Sequence, residues 1–470
     1  MFSLSIPQLA DLLDATPVAG HPPELAVSGV VIDSRKLQPG NAFFALAGSQ
    51  QHGAVFAAAA FAAGAACVVT DQIPDALEKV LMPRTLLVPN STLALQQFAR
   101  WNRSQSQAVV IGITGSVGKT STRQLVAAVL GTQFDGCQSP ANYNNELGVP
   151  LSLLQLTEHH RFAAVEMGAG RAGDIRFLCE LAKPSVAIVT RVAPCHLETF
   201  GSLEVIAHTK SELPEFLQPA DFAVLNADDP LVVAMTTRIR ARIVLIGRRA
   251  EGIGRLSDVR QENEGCWFSC GGDEFRFNGP RQLVYAAGAA VIVGREWGLS
   301  APVIRQGLER FQPEAGRGRV IRSGPWTLID ETYNSSPASL EASIETLGEW
   351  KALRRVLVAG EMLELGNEAE RLHQQAAAKL AGSGIELVVF TGRYSEVARS
   401  AAVAAGYPAA KIIVFEHYEA MAGGLPGLLE PGDVVLVKAS RGMRFERLIR
   451  VLEQRGRQQQ QVLQHRAQQQ

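Results

Sequence analysis

Residues 112–120 read GITGSVGKT. A phosphate-binding loop usually needs Gly, four residues and then Gly-Lys-Ser/Thr. Counting back from Gly118 puts that first Gly at position 113, which is Ile113. The spacing departs from the pattern, but the context does not. AVVIGITG (108–115) reads as a strand, and a helix is expected from Lys119 onward. Gly115 and Gly118 permit a tight turn that aims N–H groups at phosphate oxygens. The helix adds the positive end of its dipole. Lys119 suits β/γ-phosphate charge, and the Thr120 hydroxyl suits Mg²⁺. Thr114, Ser116 and Ser121 complete a candidate nucleotide-binding set with the two glycines.

The same theme recurs outward from this loop. RFAAVEMG (161–168), SVAIVTRV (185–192), DFAVLNADD (221–229) and RIVLIG (242–247) are apolar runs ending in polar residues or Gly. Helical patterns lie between several of them. That alternation predicts a mostly parallel sheet with helices on both faces, and ligands bind beyond the carboxyl ends of such strands. A second series, RRVLVAGEM (354–362), LVVFTGR (387–393), KIIVFEH (411–417) and DVVLVKASR (433–441), predicts a separate Rossmann-like domain. Before the loop, VSGVVIDSR (27–35) and AACVVTD (65–71) read as strands, with a helix over AVFAAAAFAAG (54–64). The expected class is α/β in three domains: a smaller N-terminal domain (1–104), a central P-loop-type domain (105–312) and a C-terminal domain (313–455). WNRSQSQ (101–107) reads as a linker, and the Gln-rich stretch 456–470 as a disordered tail.

Composition narrows the class further. The 470 residues carry 45 basic and 46 acidic side chains, a net charge of −1. That balance offers no electrostatic case for nucleic acid or an anionic membrane. Cys67, Cys137, Cys179, Cys195, Cys266 and Cys270 are scattered; only the last two are close, and no second pair completes a zinc site. Reduced structural thiols are expected. The N-terminus lacks a basic signal-like region and no apolar run reaches membrane-spanning length, so a cytoplasmic protein, a monomer, is expected.

The loop, with NYNNELGVPL (142–151), EMGAGRAGDI (166–175), HLETFGS (196–202), KSEL (210–213), DETYNSSP (330–337), GEMLELG (360–366) and VKASR (437–441), resembles the Mur ligase family over almost the whole chain. The family's members are ATP-dependent amide-forming ligases of peptidoglycan synthesis. Tyr-Asn-x-x-Pro followed by Gly-x-Met-x-Glu-Leu-Gly resembles the branch that adds D-alanyl-D-alanine (D-Ala-D-Ala) to UDP-N-acetylmuramoyl-tripeptide (UDP-MurNAc-tripeptide). The resemblance implies a terminal carboxylate activated as an acyl-phosphate and then attacked by an amine.

It also implies roles. Glu166 and His196 would ligate Mg²⁺ with Thr120. Lys210 would carry a carbamate formed with CO₂, turning a cation into an anionic ligand for a second Mg²⁺. Lys119, His196 and Lys210 form the implied catalytic group. Asn142, Asn144 and Asn145 would face phosphate and substrate, and Arg317 and Asp330 the nucleotide. Tyr333, Asn334, Lys438, Ser440 and Arg441 would line the D-Ala-D-Ala side. Ser34 and Arg35 would bind the uridine diphosphate.

Three segments depart from the family pattern: His52-Gly53-Ala54, Gly279 to Tyr285, and Tyr333-Asn334-Ser335-Ser336-Pro337. The second leaves Tyr285 as the aromatic available to stack on adenine. Two other readings stand beside this one. One is a ligase for a different amino acid or a folylpolyglutamate-type enzyme; the other is a catalytically silent nucleotide-binding paralogue.

Overall fold

The computed structural model describes residues 1–74, 77–262 and 265–468, with side chains described to residue 461. The strand that feeds the loop, Val109–Thr114, lies inside a six-stranded parallel sheet. In spatial order the strands are Arg242–Ile246, Phe222–Asn226, Val186–Val189, Val109–Thr114, Phe162–Glu166 and Gly136–Gln138. Registers pair Glu166 with Ile113 and Val189 with Thr114, so the polar strand ends come level at one edge. Both faces are covered, which is why these strands read as continuous apolar runs.

Two separate cores lie on those faces. On one, Val110, Val165 and Ala187 pack with the helices Asp174–Ala182 and Leu203–Phe216. That core continues through the helix Ser91–Gln105 to Phe44 and Leu86 of the N-terminal sheet. The expected linker at 101–107 is therefore mostly the end of this helix. Asn102 explains the difference: its fully buried amide donates to the Leu153 and Leu156 carbonyls and accepts from Phe2 N. A polar side chain bonded at both ends sits inside the joint instead of in solvent.

On the other face the loop helix, Lys119–Leu130, packs against Val284–Glu296 and Ala301–Arg310. A three-stranded antiparallel sheet, Leu256–Glu262, Gly265–Cys270 and Asp273–Asn278, closes this core. The sequence patterns do not announce it. Alternation nevertheless accounts for it: Cys266, Phe268 and Cys270 point inward with Phe275 and Phe277. Burial pushes the two thiols up to about 12 and about 11, consistent with inert packing groups.

The third sheet runs Arg319–Ser323, Trp326–Glu331, Asp433–Lys438, Arg354–Ala359, Leu387–Thr391 and Ile412–Phe415. Its first pair is antiparallel and the rest are parallel. The N-terminal sheet is smaller, with Thr16–Pro17, Thr85–Leu87, Cys67–Thr70, Asn41–Ala45 and Gly29–Val31 in order. The helix Glu446–Gln468 carries the backbone through most of the stretch expected to be a disordered tail. Gln and Arg are good helix formers, and Phe445, Leu448 and Leu452 anchor the start of the helix in the third core.

Phe268 is fully buried, with ring centroids 5.7 Å and 5.9 Å from Phe275 and Phe277. Phe268→Ala is expected to cost about 3–5 kcal/mol, read as a lower thermal midpoint, and a midpoint near that of the unaltered chain would remove the small sheet from the central core.

Candidate active site

The loop turns where its glycines demand it. Gly115 has φ of 143° and Gly118 of 84°. A Cβ on Gly115 would fall 2.0 Å from Thr190 Oγ1, so only glycine fits that approach. Thr190 braces the turn from the next strand end, donating to Val117 O at 2.6 Å. Ser116 N donates to Arg191 O, and the Ser116 hydroxyl bonds the Ala193 carbonyl and N–H. Thr114 is fully buried and donates to Met167 O at 2.8 Å. The side chains of Thr114 and Ser116 thus shape the loop, leaving Gly118, Lys119 and Thr120 at the helix start. Ser121 is buried on the same first turn. Lys119 Nζ folds back to Gly115 O at 2.9 Å.

Glu166 ends its strand beside this helix and is buried. Thr120 Oγ1 donates to Glu166 Oε2 at 2.8 Å, and Asn144 Nδ2 donates to Oε1 at 2.9 Å. Three of the predicted residues therefore meet at one carboxylate. Hydroxyl, carboxylate and amide are hard oxygen-rich donors of the kind Mg²⁺ takes while keeping water and phosphate oxygens. Among the described residues no three His, Cys, Asp or Glu side chains form a ready-made metal cage. The donor set fits an ion shared with a phosphate ligand.

Lys210 is buried in the helix Leu203–Phe216, its ammonium over the Phe200 ring. Burial, and then the nearby Lys119 charge, lowers it to about 8. Cys195, next to His196 in the chain, also lies within its electrostatic reach. His196 itself adopts φ of 49° and pairs through Nδ1 with Glu364 of the third domain's GEMLELG segment, another left-handed residue. Two non-glycine residues held in that region at one contact mark a constrained site.

The remaining assignments divide. Asn142 is exposed on the same turn as Asn144, and Asn145 caps the chain by accepting from Gly148 N. Arg317 lies 3.6 Å from the centroid of Tyr333 and Arg441 5.5 Å from it, so these three predicted residues do assemble. Asp330 is buried, and both its oxygens are engaged by Gly316 N and Thr332. It fastens the strand instead of reaching outward. Lys438 is likewise buried, donating to Glu331 Oε2 and Asn334 O, both at 3.1 Å. Ser440 accepts from Leu363 N and donates to Ser335 O. Asn334 turns its side chain to Ser335 N. Tyr285 donates its hydroxyl to Asp228 Oδ2 at 2.7 Å, which orients its ring.

In the N-terminal domain Arg35 makes a bidentate pair with Asp33, holding that carboxyl below its ordinary range. Ser34 starts the short turn Ser34–Lys36. Beside it a cleft of about 310 Å³ runs between Ser28–Asp33 and Tyr143, Leu151 and Leu154 of the central domain. Sequence reasoning missed Arg123, Thr190, Glu314 and Glu331, whose partners lie far along the chain.

Breaking a buried ion pair costs about 3–5 kcal/mol, so Lys438→Met, which leaves the buried Glu331 carboxylate only its neutral donors Gln282 and Ser343, is expected to lower the thermal midpoint. Unchanged stability with a weaker acceptor interaction would instead make Lys438 a substrate contact.

Comparison with known proteins follows the same order along the chain. Family descriptions match residues 26–100 ("Mur ligase family, catalytic domain"), 113–280 ("Mur ligase middle domain") and 316–441 ("Mur ligase, glutamate ligase domain"). The UDP-N-acetylmuramoyl-tripeptide--D-alanyl-D-alanine ligase of Escherichia coli is 31% identical over 474 residues, covering 97% of this chain and 100% of that one. A crystal structure of MurF from Acinetobacter baumannii superposes with a TM-score of 0.86 at 27% identity, covering 97% and 99% of the two chains. MurF ligase from Thermotoga maritima in complex with ADP gives 0.78 at 27% identity, covering 92% and 99%. From its loop to its third sheet, this chain belongs to the Mur ligase family.

Proposed function

We propose that this chain, an ATP-dependent ligase, joins D-alanyl-D-alanine to UDP-N-acetylmuramoyl-tripeptide in the cytoplasm, where ATP is supplied. The contact of Thr120 with Glu166 beside Lys119 carries the reading, on a chain similar throughout to ligases of that name. A carboxylate oxygen is a poor leaving group, so the tripeptide acid needs activation. Transfer of the γ-phosphoryl of ATP gives an acyl-phosphate and ADP. The acceptor amine then attacks the carbonyl, its proton is lost, and the tetrahedral adduct collapses to the amide and inorganic phosphate.

The protein's part is positioning and charge. The loop N–H groups and Lys119 hold the phosphates. Thr120 and Glu166 would hold Mg²⁺, which supplies charge neutralisation for the phosphate oxygens when bound. Asn144 keeps the Glu166 carboxylate oriented. Tyr333 and Arg441 would line the side where the acceptor enters, and Arg317, over the same Tyr333 ring, would reach the nucleotide from the third domain. The cleft beside Ser34 and Tyr143 would take the uridine-linked donor.

Lys210 fits the carbamate role on its own chemistry. A neutral amine attacks CO₂, and an amine lowered to about 8 is about half neutral at pH 8. The neutral fraction rises with pH, so carbamylation is favoured above about pH 8 and disfavoured below it. The product would replace repulsion against Lys119 with attraction, and together with His196 would hold a second Mg²⁺.

Phosphate release should require both UDP-MurNAc-tripeptide and D-Ala-D-Ala, and Glu166→Gln should slow it by about 10²–10³-fold. Turnover with another amino acid in place of D-Ala-D-Ala, or binding without turnover, would overturn the proposal. Lys210→Ala should be nearly inactive and partly restored by short carboxylic acids. Failure of every such acid, with ATP still bound, would remove the carbamate.

A further inference from the structure

A string of charges leaves the nucleotide site and enters the third domain. Arg123 lies one turn beyond Thr120 on the loop helix and is 2% exposed, as deeply buried as Glu166. Its Nε stands 3.9 Å from Glu166 Oε2. Its Nη2 donates to Glu314 Oε1 at 3.1 Å, and Gln124 Nε2 donates to the same oxygen at 2.6 Å. The other Glu314 oxygen stands 3.8 Å from Arg317 Nε. Arg317 in turn lies over Tyr333.

Two atoms in this string are unusual. The Nε–H groups of Arg123 and Arg317 are both buried without an acceptor. At 3.9 Å and 3.8 Å neither is hydrogen-bonded, yet each already faces a carboxylate. Buried donors left unpaired call for a reason. A shift of under about 1 Å would bring both within bonding distance. Glu314 sits between them, on the segment joining the helix Ala301–Arg310 to the strand Arg319–Ser323.

We propose that Glu314 is a positioning residue that ties the charge at the nucleotide site to the placement of Arg317. Arg123 and Gln124 fix Glu314 to the loop helix, and Glu314 sets where the guanidinium of Arg317 stands. When Glu166 is drawn toward a cation, Arg123 is left with Glu314 as its remaining anion. The tighter pair draws the joining segment, and Arg317 with it, toward the loop. This inference rests on the nucleotide reading above and adds to it the route by which the third domain responds.

The test is ADP binding by calorimetry in magnesium buffer, alongside steady-state kinetics, on the full chain. Glu314 is partly exposed, so Glu314→Gln keeps size and fold while removing the charge. ADP affinity is expected to fall about 3–10-fold and KM for ATP to rise equally, with KM for the uridine-linked donor unchanged. Glu314→Asp should recover part of the loss. Arg317→Met should cost affinity in the unaltered chain and much less in the Glu314→Gln background, because the two act as one unit. A purely structural Glu314 would lower the thermal midpoint and leave ADP affinity alone, and that result, or additive losses, would overturn the inference. Failure of the unaltered chain to bind ADP would sink the nucleotide reading itself, and this inference with it.

Discussion

A carboxylate buried at the end of a parallel strand organises the central domain. Glu166 accepts from Thr120 on one oxygen and from Asn144 on the other, while Ser139 accepts from its backbone N–H. An isolated buried carboxylate would be expensive, and these donors together with Arg123 offset that cost. The consequence is geometric. The loop helix, the Asn turn and the strand end each give up freedom to keep one anion in place. They therefore arrive at the mouth of the sheet already aligned. Lys119 adds positive charge on the same side, so the arrangement suits a polyanion together with a divalent ion held by Thr120 and Glu166.

Much of this was legible in the sequence because the motif and the topology are local. A strand, a glycine turn and a helix declare themselves within about a dozen residues. The polar residue after each apolar run marks the sheet's carboxyl edge, which is how Glu166 could be singled out, whereas Asn144 came with the resemblance. Arg317, Tyr333 and Arg441 lay in three separate motifs, and the fold brings them together around the Tyr333 ring. The resemblance supplied what periodicity lacks, the pairing of segments hundreds of residues apart.

What the sequence leaves out has a common physical origin. Asp330, Lys438 and Ser440, to which the resemblance gives binding roles, are each buried with their polar atoms answered by neighbours. Burial and satisfaction depend on tertiary contacts that one-dimensional patterns do not encode. Arg123 shows the same limit from the other side. No motif marks it, and only the fold brings Glu314, 191 residues away, to its guanidinium. The small antiparallel sheet went unread because short alternating runs between longer signals carry little weight. The stretch 101–107 reads as a linker, and not as a helix end, because an Asn inside a polar stretch gives no hint that both of its ends are bonded.

The joint between the central and third domains shows why those buried polar groups lie where they do. Gln282 bonds Glu331 and accepts from Thr346, Arg281 pairs with Glu349, and His196 pairs with Glu364. An apolar seam of equal size would be indifferent to small slides, whereas hydrogen-bonded partners specify one arrangement and resist near misses. Such bonds are also exchangeable, because water or a ligand can replace them at little net cost. A ligase must bring a nucleotide, an acid and an amine together and then release the product. A seam that is polar, specific and exchangeable suits that cycle, and the buried pair of Lys438 with Glu331 anchors it at the carboxyl ends of two neighbouring strands of the third sheet.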